Sequence, residues 1–126
     1  MSDAEVLAAL RRHWDASDAN QFGAEHEIYR ADAVLEYPQS GERINGRANI
    51  QASRTAQPNL KRFTVRRMLG GDDVWVSELV MTYDGKPSYV VSIMEFEAGE
   101  VVRETQYFSD PFDPGPSRAQ WVERMD

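Results

Sequence analysis

Four consecutive segments rich in β-branched and aromatic residues fill the second half of the chain and constrain its fold most strongly. They are residues 61–69, 74–83, 88–97 and 101–108. Residues of these types favour the pleated backbone of a β-strand. Asp84-Gly85 lies between the second and third segments, and this dipeptide is a strong hairpin signal because the turn requires positive φ. With glycine-containing turns also at 70–71 and 98–99, the pattern predicts a four-stranded antiparallel meander.

Three helices and one short strand are predicted before the meander. Ser2 and Glu5 have the spacing of a capping box, and apolar residues then recur at the helical period up to Trp14. A second helix is predicted from about residue 20 to residue 29, and a third from Arg47 to a point before Pro58. The segment VLEYP between them is typical of a short strand that ends at proline. Helices followed by a meander predict an α+β fold.

The length of 126 residues fits one domain covering residues 1–126. Its last part, residues 109–126, carries three prolines in six positions and then Trp121 and Val122. We expect this tail to be extended and to pack back on the domain.

Charge and composition exclude several classes of function. A formal net charge of −7 gives no electrostatic footprint for nucleic acid, and no apolar segment is long enough to span a membrane. The N-terminus lacks the features of a secretory signal, so we expect a cytoplasmic protein. Without cysteines there are no thiolate ligands. Glu25, His26 and Glu27 are adjacent on a predicted helix and point about 100° apart, so we expect no metal site there and no cofactor.

The segments RADAVLEYP, SGERINGRANI and VVRETQYFSDPF, in this order, resemble the nuclear transport factor 2-like superfamily. The SnoaL-like and ketosteroid-isomerase-like branches are the most similar. The resemblance implies a cone-shaped α+β barrel of the nuclear transport factor 2-like or cystatin-like type, in which a curved antiparallel sheet wraps around three N-terminal helices. It also implies a pocket for a small apolar molecule, and a homodimer formed through the outer sheet face.

Strand alternation divides the side chains of the meander between two faces, and the resemblance indicates which face lines the pocket. We hypothesise a catalytic dyad of His13 and Glu104, with Tyr37 as a hydrogen-bond donor, because imidazole titrates near neutrality and a carboxylate can orient it. The expected ligand-binding residues are Trp14, Ser53, Ser77, Leu79, Met81, Met94, Phe96, Gln106 and Phe108.

Three positions depart from the ketosteroid-isomerase pattern, which has an aspartate base, a tyrosine donor and a protonated aspartate. The resemblance puts Tyr37, His13 and Met94 at these positions, so ketosteroid isomerisation itself is not expected. Nor does this register place an Asp-Arg-Asp set of the limonene-epoxide-hydrolase type inside.

Each candidate also has a structural interpretation: His13 as a packing residue, Glu104 as a partner of Arg54 or of the neighbours of Arg103, and Tyr37 as a pocket wall. The open alternatives are a cofactor-independent isomerase, cyclase, hydrolase or dehydratase, a ligand-binding protein without catalysis, and a protein-interaction module.

Overall fold

The computed structural model describes residues 1–58 and 61–125 and confirms the α+β fold class. The elements in chain order are α1 (Asp3–Asp18), α2 (Phe22–His26), β1 (Tyr29–Tyr37), β2 (Glu42–Asn45), α3 (Arg47–Thr55), β3 (Lys61–Gly71), β4 (Val74–Tyr83), β5 (Lys86–Glu97), β6 (Glu100–Ser109) and a short 3₁₀ helix (Pro116–Trp121). No helix in the described part of the chain has the length and apolar character needed to cross a membrane.

The six strands form one sheet in the order β2-β1-β6-β5-β4-β3. Strands β3 to β6 form the predicted antiparallel meander. The expected antiparallel sheet has one parallel pairing, because β1 pairs with β6 in parallel, with Leu35 opposite Glu104. The hairpin to β2 occupies the other edge of β1. The sheet is therefore mixed, and it remains an open cone rather than a closed barrel.

One predicted boundary and one missing strand distinguish the prediction for the first half of the chain from the structure. The second helix ends at His26 rather than near residue 29, because Tyr29 already pairs with Val101 as the first residue of β1. The short strand β2 was not predicted from the sequence. It follows a tight turn in which the amide of Gly41, with φ of 73°, donates to the carbonyl of Tyr37 over 2.9 Å.

The apolar face of α1 packs on the concave side of the sheet. The side chains of Val6, Leu10 and Trp14 are buried in one core with alternate residues of the meander. Ser77, Leu79, Met81 and their neighbours on the same face are buried, which confirms the predicted division of the strands into two faces. Register shifts within β3 and near the end of β5 bend the sheet around the helices.

The tail beyond β6 does not pack its apolar side chains on the domain. Phe112 is 80% exposed and Trp121 is 75% exposed, so the expected packing is wrong for residues 109–125, and Asp126 lies outside the described residues.

Candidate functional site

A cavity of about 260 Å³ lies between the concave face of the sheet and the helices. Its apolar lining residues are Trp14, Ile44, Phe63, Met81, Val90 and Phe108. Its polar lining residues are Glu25, Tyr37, Glu42, Ser53, Arg54, Gln57, Lys61, Tyr83 and Gln106. A wider, more open depression adjoins the cavity and shares Tyr37, Gln57, Tyr83 and Phe108 with it. The cavity thus combines an apolar wall with a group of charged and phenolic side chains.

Six of the residues that the sequence predicted for the site line this cavity. They are Trp14, Tyr37, Ser53, Met81, Gln106 and Phe108. The other predicted ligand-binding residues, Ser77, Leu79, Met94 and Phe96, are buried but do not line it. The indole N–H of Trp14 donates to the hydroxyl of Ser77 over 3.0 Å, so α1 covers this part of the sheet. That these four residues contact a ligand stays a prediction, since they lie behind the cavity lining.

His13 is buried outside the cavity lining and does not bond to Glu104. Its Nδ1 lies 2.6 Å from the carbonyl oxygen of Glu25, which makes Nδ1 the protonated nitrogen, and Nε2 has no partner among the described residues. Burial lowers the pKa of His13, although the nearby charge of Glu104 opposes this shift. The predicted His13–Glu104 dyad is not formed, and the structural interpretation of His13 as a packing residue fits the geometry.

Glu104 is fully buried, and both of its carboxylate oxygens accept hydrogen bonds. Oε1 accepts from the phenol of Tyr29 and, over 3.0 Å, from Arg54. Oε2 accepts from Ser92 over 2.5 Å and from Gln106 over 3.0 Å. Burial alone would raise the pKa of Glu104, but the charge of Arg54 and these hydrogen bonds hold it below its usual value. A carboxylate in this environment is a poor base and acts as an anchor for Arg54.

Arg54 is the centre of this polar cluster and also faces the cavity. The side chain is only 11% exposed. Its Nη1 donates to the Tyr29 hydroxyl over 2.8 Å and to Nε2 of His26 over 3.2 Å. Because Nδ1 of His26 lies 2.7 Å from the Phe22 carbonyl, His26 is a neutral imidazole whose free nitrogen accepts from Arg54.

Opposite charges keep Arg54 protonated in spite of its burial. Desolvation lowers its pKa, but Tyr29, Glu104 and Glu25 raise it, and the result lies well above the usual value. The guanidinium is therefore a permanent positive charge in the cavity wall.

Besides the exposed Glu42, Glu25 is the carboxylate that lines the cavity. It is buried, and its Oε2 lies 3.7 Å from Nη1 of Arg54 and 3.8 Å from Nε2 of His26. These distances are too long for strong hydrogen bonds, so this carboxylate is less tightly held than that of Glu104. Within the described ranges, no group of three or more His, Cys, Asp and Glu side chains could hold a metal ion.

Sequence reasoning missed Glu25, Tyr29, Arg54 and Lys61 as members of the site. For Arg54 a signal existed, because it lies four residues after Ile50 on α3, and residues at that spacing share a helix face. The buried Ile50 marks that face as the one that points inward. Glu25 had no comparable signal, since its position depends on how the short helix α2 packs.

The comparisons with known proteins agree with this fold. Residues 8–104 match the SnoaL-like domain family, which covers well over half of the chain. The chain belongs to this family. Its fold is of the nuclear transport factor 2-like type, as the sequence predicted. No curated protein sequence matches the chain.

Solved structures extend the same result. An NTF-2 like protein of unknown function from Burkholderia xenovorans LB400 is 50% identical, with a TM-score of 0.94 over 100% of this chain and 99% of that chain. A proposed ketosteroid isomerase from Kribbella flavida DSM 17836 is 26% identical, with a TM-score of 0.89 over 100% of this chain and 94% of that chain. An LEH-like epoxide hydrolase from M. tuberculosis shares the fold at 16% identity, with a TM-score of 0.73 over 84% of each chain.

Proposed function

We propose that the cavity binds a small, mainly apolar molecule and that the protein acts on it by cofactor-independent acid/base chemistry. The observation that supports this most directly is the pair formed by Glu25 and Arg54, 3.7 Å apart in a cavity that Trp14, Phe63, Phe108 and other apolar side chains also line. An enclosed apolar cavity with a few converging polar groups is the usual form of a small-molecule site.

The proposed roles follow from the charge and position of each group. Glu25 is the general base, because it is the buried carboxylate that lines the cavity and is not saturated by hydrogen bonds. Arg54 and Tyr37 stabilise negative charge that develops on a substrate oxygen. Burial raises the pKa of Tyr37. Its phenol therefore stays protonated and can donate a hydrogen bond to the substrate oxygen. Glu104 acts through Arg54 and is a positioning residue.

The size of the cavity limits the ligand. Its volume of about 260 Å³ corresponds to that of about nine water molecules in the liquid, so a compact single-ring molecule fits within it. Met94, at the position that carries an oxyanion donor in ketosteroid isomerases, is buried in the core and has no proton to donate. Ketosteroid isomerisation therefore remains unexpected.

A second candidate function is ligand binding without catalysis. It is favoured by the number of hydrogen bonds that Arg54 already makes to Tyr29, His26 and Glu104, which could hold the guanidinium as a purely structural group. The two candidates differ in whether Glu25 transfers a proton.

Proton transfer can be tested with acetophenone in deuterium oxide, where NMR follows the loss of the α-proton signal. We expect the wild-type protein to accelerate this exchange and Glu25→Gln to lose on the order of a hundredfold in rate, the usual contribution of a general base. Unchanged exchange in Glu25→Gln would exclude the proposed role of this residue. If acetophenone binds and no protein-dependent exchange occurs, the non-catalytic candidate is favoured.

Binding in the cavity can be tested with a matched pair of variants on β5. Val90 lines the cavity, whereas Val91 points to the opposite face of the sheet. We expect acetophenone to raise the melting temperature of wild type and of Val91→Phe, but not of Val90→Phe, whose added ring fills the cavity. Equal stabilisation of both variants would place the ligand elsewhere.

We also propose that two copies pair through the outer sheet face, where Tyr89 and Tyr107 are exposed, and that the protein acts in the cytoplasm. Light scattering that shows only monomer at micromolar concentration would contradict the pairing. Recovery of the native protein outside the cytoplasmic fraction would contradict the location.

A further inference from the structure

The cavity contains a buried lysine that the proposed acid/base chemistry does not use. Lys61 is the first residue of β3, lines the cavity and is only 6% exposed. Lysine is almost never this buried unless its ammonium group is paired. The only other lysine in the chain, Lys86, is exposed at the start of β5 and lines the outer depression.

The surroundings of Lys61 hold its amine weakly. Nζ lies 3.4 Å from the carbonyl oxygen of Arg54, a long hydrogen bond, and 5.4 Å from the centre of the Phe22 ring. Among residues 1–58 and 61–125, no carboxylate forms an ion pair with Lys61. Glu25 and Arg54 line the same cavity. Because one is negative and the other positive, they act on the ammonium group of Lys61 in opposite directions.

These surroundings make the neutral form of the amine easier to reach than it is for an exposed lysine. Desolvation lowers the pKa of Lys61, and the positive charge of Arg54 adds to this effect, while Glu25 opposes it. A lysine that is desolvated beside another cation is a typical activated nucleophile, because only the neutral amine carries a free electron pair. The buried position and the weak contacts of Nζ support the same conclusion from geometry alone.

We propose that Lys61 forms an imine with a small aldehyde or ketone bound in the cavity. This inference rests on the proposed binding function and names its substrate class, a carbonyl compound with an apolar substituent. The nitrogen electron pair of Nζ attacks the carbonyl carbon, a C–N bond forms, and the oxygen takes up a proton to give a carbinolamine. The nitrogen loses both of its protons in the course of the reaction and the oxygen takes up a second one, so the oxygen departs as water and a C=N bond remains, with no net oxidation or reduction.

The rest of the cavity fits this reaction. Glu25 shares the cavity with Lys61 and is the buried carboxylate that can carry protons between nitrogen and the departing oxygen. Phe63, Met81 and Val90 offer apolar surface for the substituent of the carbonyl compound.

Reductive trapping tests the inference with benzaldehyde as the probe and sodium cyanoborohydride as the reductant. The reductant converts an imine into a stable secondary amine, so intact mass spectrometry shows the addition of one benzyl group and peptide mapping identifies the residue. We expect labelling of Lys61 to exceed that of Lys86 on the order of tenfold, because the cavity holds the aldehyde beside one amine only.

Matched variants of the two lysines provide the control. Lys86→Arg should retain the adduct, whereas Lys61→Arg and Lys61→Met should lose it, with circular dichroism showing that at least one of them is folded. Equal labelling of the two lysines, or labelling only of Lys86 and the N-terminus, would overturn the inference.

The melting temperature with benzaldehyde and no reductant separates the two proposals. Stabilisation of wild type but not of Val90→Phe, without an adduct at Lys61, would leave the binding function intact and remove the imine. Absence of both stabilisation and adduct would count against both proposals.

Discussion

Replacement of Arg54 by methionine should destabilise the protein far more than the loss of an ordinary ion pair. Methionine keeps much of the length of the side chain but removes the positive charge and its donors. Glu104 then remains as a fully buried carboxylate without its counterion, and the Tyr29 hydroxyl loses one partner. An uncompensated buried charge is among the most costly local defects in a folded protein.

The size of the effect follows from the burial of the pair. Removal of one partner of a buried ion pair typically costs about 3–5 kcal/mol in free energy of unfolding. For a domain of this size, such a loss lowers the melting temperature by roughly 10–20 °C. Three donors, Tyr29, Ser92 and Gln106, still bond to Glu104, which favours the lower part of the range.

Urea unfolding followed by tryptophan fluorescence measures this loss, and Arg43→Met is the matched control. Arg43 pairs with Glu36 over 3.0 Å, but its side chain is 59% exposed. Exposed pairs of this kind contribute less than about 1 kcal/mol. A cost for Arg54→Met within the range of the Arg43 control would refute the assignment of Arg54 as the counterion on which Glu104 depends.

The double variant Arg54→Met/Glu104→Gln tests the cause of the loss. Because the amide carries no charge, it should recover about 1–3 kcal/mol relative to Arg54→Met. In the wild type, the lowered pKa of Glu104 adds stability that is complete above its usual value of 4.5 and is lost as the pH falls through the folded-state value. Additive costs of the two substitutions would show that they do not interact.

Two further predictions concern His13 and the contact between Trp14 and Ser77. Because burial lowers the pKa of His13, the unfolded chain binds its proton first, so stability should be complete above pH 6.5 and decline as the pH falls below it. His13→Gln should reduce this slope in urea midpoints measured on each side of pH 6.5, and an unchanged slope would exclude His13 as a cause. Ser77→Ala leaves the Trp14 indole N–H unpaired in the core and should cost about 1–3 kcal/mol in thermal unfolding, against about 0.5 kcal/mol or less for Ser40→Ala on the surface. Equal costs for the two serine variants would contradict the inferred hydrogen bond.

Local patterns predicted the elements and faces of this fold because they depend on neighbouring residues. The period of two along β4 and β5 placed Ser77 and Met94 on the inner face, and the structure buries both. The helical period of α1 likewise placed His13 beside the apolar stripe. The pattern could not show that the imidazole of His13 donates a hydrogen bond to the backbone carbonyl of Glu25, twelve positions along the chain.

The polar wall of the cavity was harder to predict because its members meet only in three dimensions. Tyr29, Arg54 and Glu104 belong to β1, α3 and β6, and no local spacing relates them. The possibility that Glu104 pairs with Arg54 followed from charge alone and is confirmed. The preference for His13 as the partner of Glu104 was wrong, because shared inward direction does not determine which groups come within hydrogen-bond distance.

The parallel pairing of β1 with β6 has a consequence for how the protein is made. During synthesis β1 emerges long before β6. The edge of β1 that pairs with β6 therefore has no partner while the intervening strands are made. The Arg54 site is likewise incomplete until Glu104 arrives, since this residue supplies the carboxylate that anchors the guanidinium. Contacts between such distant segments are slow to form. A nascent chain that stalls before β6 would therefore present an open strand edge, a feature that promotes aggregation.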